Sequence, residues 1–225
     1  LLLILVYLMV FSTKIAKVNM NLKKWIIENQ NELNISLIIS IFLTIYYRAS
    51  YKFVLTIFGS VLLIIIIGKN VISKYKKTKL QGSYWTGQIS HLGIGIFAIG
   101  LVLNVTQSFS NELIISTGDT VNFGEKEFII LSPYEEIKEE KNVINLPIKF
   151  NDKEKNASLN IFKNSSQQAI SSPAVFRNIQ SDTYITIKVI DDDKFKLIFR
   201  ENYGIFILWL GLAISSSSFL TRVRK

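Results

Sequence analysis

The sequence predicts an α-helical integral membrane protein with about five transmembrane helices, the first truncated, and one external mainly-β domain, a small sandwich or barrel. Three observations lead there. Apolar residues, 49% of the 225, are clumped into long runs. Lysine and arginine collect in alternate short connections. The stretch from Gln107 to Tyr203 is polar and alternates at period two.

The apolar runs are Leu1 to Phe11, Ile35 to Tyr47, Phe53 to Gly68, Tyr84 to Val105 and Gly204 to Leu220. A helix crosses the bilayer core with about 20 apolar residues, range roughly 17 to 25. Tyr84 to Val105 meets this outright. Phe53 to Gly68 and Gly204 to Leu220 lie near the lower limit. Ile35 to Tyr47 is short unless Leu33 and Tyr51 extend it. Leu1 to Phe11 reads as the tail of a helix and has no basic segment ahead of it, which argues against a signal peptide. The chain is therefore expected to be a piece of a larger membrane protein. Ile64 to Ile67 and its neighbours present no polar face to water.

Short loops rich in lysine and arginine stay on the cytoplasmic side. Ser12 to Asn34 carries Lys14, Lys17, Lys23 and Lys24, and Lys69 to Ser83 carries five more lysines. The tail carries Arg222, Arg224 and Lys225, while the short 48–52 loop has only Arg48 and Lys52. The sides alternate without conflict and place 107–203 outside. Three regions follow: 1–106, transmembrane helices with short loops; 107–203, the external β-domain; and 204–225, a last helix with a basic tail. The net charge of +9 hides an acidic external domain, with twelve basic against fifteen acidic residues. The basic balance is an orientation signal, and no nucleic-acid partner is expected from it.

Within the external domain, Glu112 to Ser116 and Glu127 to Leu131 read as strands, with a turn at Thr117-Gly118-Asp119. Val143 to Phe150 and Ala157 to Lys163 read as a hairpin around a polar 151–156 tip. Thr183 to Ile190 and Lys194 to Arg200 read as another, closed by Asp191-Asp192-Asp193. That acidic run lacks the glycine and glutamate spacing of a calcium loop, so a solvated tip is expected. About seven strands suffice for a small sandwich or barrel. Glu135, Glu136, Glu139 and Glu140 read as a solvated loop.

The absence of cysteine excludes disulfides, thiolate metal sites and a cysteine nucleophile. The single histidine excludes any centre needing two histidines from this chain. His91 lies in the fourth apolar run, where an ionisable side chain is a functional candidate. Gly87, His91, Gly95 and Ala98 share one helix face, with Tyr84 a turn earlier. Two readings stand. The small residues let a neighbouring helix approach, with His91 bonded across it. Alternatively they leave a flat gap beside an imidazole that ligates haem.

The order of motifs resembles a known family. Trp85 and Gln88-Ile89-Ser90-His91-Leu92-Gly93-Ile94-Gly95 follow a basic loop. Then come Thr117-Gly118-Asp119-Thr120-Val121 and Pro173-Ala174-Val175-Phe176-Arg177-Asn178-Ile179. A last helix opens on Tyr203-Gly204-Ile205-Phe206, with Trp209-Leu210-Gly211 behind. From about Gly82 onward this is similar to the C-terminal part of the CcmF haem lyases of cytochrome c maturation. ResB-type proteins of the alternative maturation system share the His-Leu-Gly helix. Phe176-Arg177-Asn178 and the single last helix favour CcmF.

The resemblance implies that His91 is one axial ligand of a membrane haem b, with Gly87, Gly95 and Tyr84 facing the haem. It implies a second ligand from the N-terminal half of CcmF or another maturation subunit. In that family haem vinyl groups are joined to the thiols of a Cys-X-X-Cys-His segment, with an electron thought to come from quinol. Implied partners are apocytochrome c, a haem chaperone, membrane lipid and quinol. The implied location is the bacterial or mitochondrial inner membrane, with 107–203 on the periplasmic or intermembrane-space side. Arg177 is a candidate for a haem propionate, since its planar fork suits carboxylates. A structural ion pair is the plainer reading. No catalytic acid or base is assigned, and the chain is not expected to be active alone. The competing expectation is a non-catalytic membrane scaffold whose β-domain binds a partner.

Overall fold

A computed structural model describes residues 6–7, 9–10, 22–47, 50–75, 82–163, 169–191 and 194–220. Most of the first apolar run, Lys14, Lys17, Arg48, Lys76, Lys77, Lys79, Asp192, Asp193 and the basic tail lie outside the described residues. The chain forms two compact units, one of residues 1–107 with 203–225 and one of residues 108–202.

The first unit is helical. Its elements are α1 (Leu22–Glu28), α2 (Gln30–Tyr46), a 3-10 turn (Tyr51–Phe53), α3 (Val54–Tyr75), α4 (Gly82–Gln107) and α5 (Ile205–Ser217). The expected basic loop over Ser12–Asn34 is helical from Leu22 onward. Lys23 and Lys24 are exposed and mask a helical apolar face, on which Trp25 packs with Leu62, Leu63 and Ile66. Asn29 separates α1 from α2. Its side-chain amide donates to the Trp25 carbonyl at 2.7 Å, competing with the helix's own bonding.

Among the described helices, Val54–Ser73 and Tyr84–Gln107 have the length and apolar composition of a membrane span. The other expected spans are shorter: α2 has 17 residues and α5 has 13. Serines close α5, and the Ser217 hydroxyl returns to the Ile214 carbonyl at 2.8 Å.

Packing in this unit runs α2 on α3, α3 on α4 and α4 on α5. The polar side of α2 faces inward. Glu32, Ser36 and Ser40 are buried while Ile38, Phe42 and Ile45 are exposed. Glu32 pairs with Lys69 of α3. Several buried hydroxyls bond back to their own helix, as Ser60 does to the Thr56 carbonyl at 2.8 Å. Glycines set the α4–α5 contact. A Cβ at Gly100 would lie 2.5 Å from the Leu208 nitrogen, and one at Gly211 would lie 2.7 Å from the Gly93 oxygen. Gly204 opens α5 at φ 70°, where a side chain would also strike the Gly100 oxygen at 2.8 Å.

Among the described residues, the second unit is a β-sandwich of ten strands. They are β1 (Phe109–Ser116), β2 (Thr120–Phe123), β3 (Lys126–Ile130), β4 (Tyr134–Ile137), β5 (Lys141–Phe150), β6 (Lys153–Phe162), β7 (Ala169–Ser172), β8 (Ala174–Arg177), β9 (Ser181–Asp191) and β10 (Lys194–Tyr203). One sheet runs β1-β10-β9-β8; the other runs β2-β3-β5-β6-β7, with β4 also on β5. Alternate residues of both sheets fill one core, with Phe128, Leu146, Ile148, Ile185, Ile187, Leu197 and Phe199 fully buried.

The expected turn at Thr117–Asp119 forms. Gly118 has φ 86° and the Asp119 carboxylate accepts from the Ser116 amide at 2.8 Å. The first hairpin tip is tighter than expected. Only Asn151 and Asp152 turn, with Asn151 at φ 52°, and residues 153–156 are strand. Their polar side chains hide a backbone paired with 147–150 of β5. Glu135 and Glu136 likewise sit in a strand, β4, rather than a loop.

Candidate functional site

The helix α4 is occupied on two sides. Gly93 and Gly100 meet α5, and the Ser90 and Ser215 hydroxyls lie 3.4 Å apart. Leu92 packs on the α3 cluster, and a Cβ at Gly95 would stand 3.2 Å from Ile64 and 3.4 Å from the Ser60 oxygen. At about 100° per residue, His91 lies between Gly87 and Gly95, about 40° from each, and Ala98 on the same side is fully buried. A Cβ at Gly87 would meet nothing within 4 Å among the described residues. Val105, which the helical repeat places in line with Gly87, is exposed.

His91 is half-buried, and its Nδ1 lies 2.6 Å from the Gly87 carbonyl oxygen. A carbonyl only accepts, so Nδ1 carries the proton and donates. The contact follows from helix geometry, because a side chain leans back toward the preceding turn, where its own carbonyl lies. Gly87 has no side chain to obstruct the approach. In the neutral ring the lone pair therefore sits on Nε2, which has no partner among the described residues. The ring is oriented by a backbone carbonyl. Neither neighbouring polar side chain does this: Ser90 meets Ser215, and Gln88 is buried with an Oε1 that has no partner among the described residues.

The other candidates separate. Gly95 lies against α3, on a different side of α4 from open Gly87. Tyr84 is half-buried, its ring edge-on to Trp85 with centroids 6.0 Å apart. Arg177 belongs to the other unit. It is exposed at the end of β8, at the rim of two adjoining cavities of about 540 Å³ and 360 Å³. Sequence reasoning missed the lysines of that rim, Lys153 and Lys155, because the segment holding them read as a loop. Among the described residues no group of three His, Cys, Asp or Glu side chains could hold a metal ion.

A unit of apolar helices that holds the single histidine, and a unit that is a β-sandwich, define a class of two-part helical and β proteins. The comparisons point within it. No protein-family model matches the chain. It is 46% identical over 50 residues to the cytochrome c-type biogenesis protein CcmF of Pseudomonas aeruginosa, which is 22% of this chain and 8% of that protein. Its fold is similar to the solved structure of the cytochrome c haem lyase CcmF, with a TM-score of 0.77 at 8% identity. That match covers 92% of this chain and 35% of the CcmF chain. The chain thus resembles the C-terminal part of CcmF in a short stretch of sequence and in the fold of nearly its whole length. It spans about a third of the solved CcmF chain.

Proposed function

We propose that this chain is the C-terminal part of a cytochrome c maturation haem lyase, embedded in the bacterial or mitochondrial inner membrane, in which His91 supplies one axial nitrogen to a haem b. The observation that carries this reading is the committed tautomer. Nδ1–H is held by the Gly87 carbonyl at 2.6 Å, and Nε2 is left with its lone pair. A hydrogen bond of this kind at the other ring nitrogen fixes ring orientation and raises ligand basicity. The open space at Gly87, on the same side of α4, suits a flat group beside the ring. The residues present fit half of the ligation, and the second ligand would come from the N-terminal half of CcmF or another maturation subunit.

Haem iron, when bound, supplies one-electron chemistry. This chain's own work is positional. His91 presents Nε2, Gly87 both holds the ring and leaves room, and the packing of α4 between α3 and α5 keeps the site from shifting. The outward apolar side of α2 suits lipid. The orientation rule places the β-sandwich on the periplasmic or intermembrane-space side, where a haem chaperone and apocytochrome c would meet it. Thioether formation requires the missing partner, and quinol is the proposed electron source.

The test is to co-purify the chain with its N-terminal partner and record reduced-minus-oxidised difference spectra. His91→Ala is expected to abolish the b-type signal while the complex still elutes intact. A signal that survives undiminished overturns the ligand assignment. An intact wild-type complex free of haem would leave the chain as a non-catalytic membrane scaffold.

A further inference from the structure

The β-sandwich has an opening where one chain segment changes sheets. β6 pairs with β5 along its whole length but with β7 only from Ser158 to Ile161. Among the described residues, its first half, 153–157, therefore has one free edge. β7 and β8 are one run of chain interrupted at Pro173. Before the proline the run pairs with β6, and after it with β9. Proline has no N–H to continue the ladder, so the chain leaves the first sheet there. β8 is the end strand of the second sheet. Two free strand edges thus diverge from Pro173, and the space between them is the cavity of about 540 Å³.

Its chemistry is specific. Ala174 and Phe176 of β8 are buried and make an apolar floor. Lys153, Lys155 and Arg177 line the rim. This cationic spot sits in a domain that is acidic overall, with twelve basic and fifteen acidic residues in 107–203. Lysines on an open edge ordinarily guard it against pairing with another chain. A guard made of charge becomes a selector when the arriving strand carries the opposite charge.

We propose that this slot docks an extended acidic segment of a partner protein by strand addition. The partner's backbone would bond to the free edges of β8 and of residues 153–157. Its carboxylates would face Lys153, Lys155 and Arg177, and its alternate residues would cover Phe176. The site is independent of the haem assignment, which rests on the other unit.

The test uses the full chain in detergent and fluorescence anisotropy of a short labelled peptide of alternating threonine and glutamate. Two controls accompany it, a threonine–lysine peptide and the acidic peptide with alternate backbone nitrogens methylated. The acidic peptide is expected to bind and the lysine peptide not. Backbone methylation, and the double reversal Lys155→Glu with Arg177→Glu, are each expected to weaken binding about tenfold or more. The neutral pair Lys155→Gln with Arg177→Gln, checked for an unchanged melting curve, repeats the test if the reversal fails to fold. Equal binding of the methylated peptide would mean charge alone and overturn strand addition. Binding that survives loss of both cations, or no binding of the acidic peptide, would overturn the site.

Discussion

In the β-sandwich, Phe128, Leu197 and Phe199 are fully buried, and most charged side chains are exposed, with Asp182 and the Glu201 that pairs with Lys126 as buried exceptions. In α2 of the helical unit, Glu32, Ser36 and Ser40 are buried, while Ile38 is 68% and Ile45 71% exposed. The sandwich and α2 place polar and apolar side chains by opposite rules. A rule of this kind follows the surrounding medium. Water drives the sandwich to bury apolar area. Hydrocarbon is as apolar as isoleucine, so helices within it associate through small residues, hydroxyls and close backbone approach. Those are the features of the α4–α5 contact at Gly93, Gly100 and Gly211.

The largest effect expected is in the sandwich. Phe128→Ala removes a ring stacked on Phe150 at 4.9 Å and close to Phe176 and Phe199. Truncating a buried phenylalanine costs about 3–5 kcal/mol. Chemical denaturation of the full chain, followed by a β-sensitive signal, should show the loss. A change below about 1 kcal/mol would mean that this core is not packed as described.

Next in size is a change that breaks the comparison if it is wrong. Ile38→Lys places a charge on the exposed side of α2. On a surface in water it would shift stability by no more than about 0.5 kcal/mol. Facing the middle of a bilayer it costs about 2.5–3.5 kcal/mol by insertion scales. Reduced membrane insertion, read by protease protection, is the expected outcome. An unchanged yield would put that side of α2 in water or against a partner.

A smaller effect separates the glycines of α4. Gly100→Leu drives a side chain into the backbone of α5 and is expected to destabilise by about 1–3 kcal/mol. Gly87→Ala, where a Cβ meets nothing, gains helix propensity worth up to about 1 kcal/mol. Thermal stability in detergent distinguishes them. Under the haem reading, the added methyl at Gly87 should also perturb the b-type spectrum.

These residues show how far the fold could be read from the sequence. Long spans were legible in α3 and α4 because a bilayer needs length and apolarity, and both are visible as composition. The hairpins were legible from period two. The β6 half-strand was not, because Lys153, Glu154, Lys155 and Asn156 look like loop, and their strand character comes from pairing with β5. The helix at Leu22–Glu28 was masked by lysines over a face that only packing reveals. At the site, His91 was singled out by its rarity. The choice of Nδ1 as donor depends on where the ring leans, and no spacing encodes that. Gly87 and Gly95 share a face by count, yet one meets open space and the other α3. Small residues announce close approach without saying to what.

The smallest effect concerns two ion pairs, one in each unit. Glu112 of β1 bonds to Lys196 of β10, with its side chain 54% exposed. The hydrogen bond from Lys196 is the main influence holding the Glu112 carboxyl below its usual range; burial opposes it, and the charges of Lys196 and Lys188 add to the lowering. A folded-state value below the unfolded one gives stability that is present above the unfolded value, near pH 4. That stability is lost as pH falls through the depressed folded value. Glu112→Gln should therefore flatten the acid side of the melting profile slightly and leave neutral pH almost unchanged, since exposed pairs are screened by water and salt. Glu32 pairs with Lys69 from a side chain only 12% exposed. Glu32→Gln leaves Lys69 without its carboxylate at the α2–α3 contact, so it should cost more at neutral pH than Glu112→Gln. Melting curves of both variants at neutral pH check the order. If Glu112→Gln proves the more damaging, the buried polar stripe of α2 contributes less to the helical unit than an exposed pair does to the sandwich, and the contrast between the two units fails at this point.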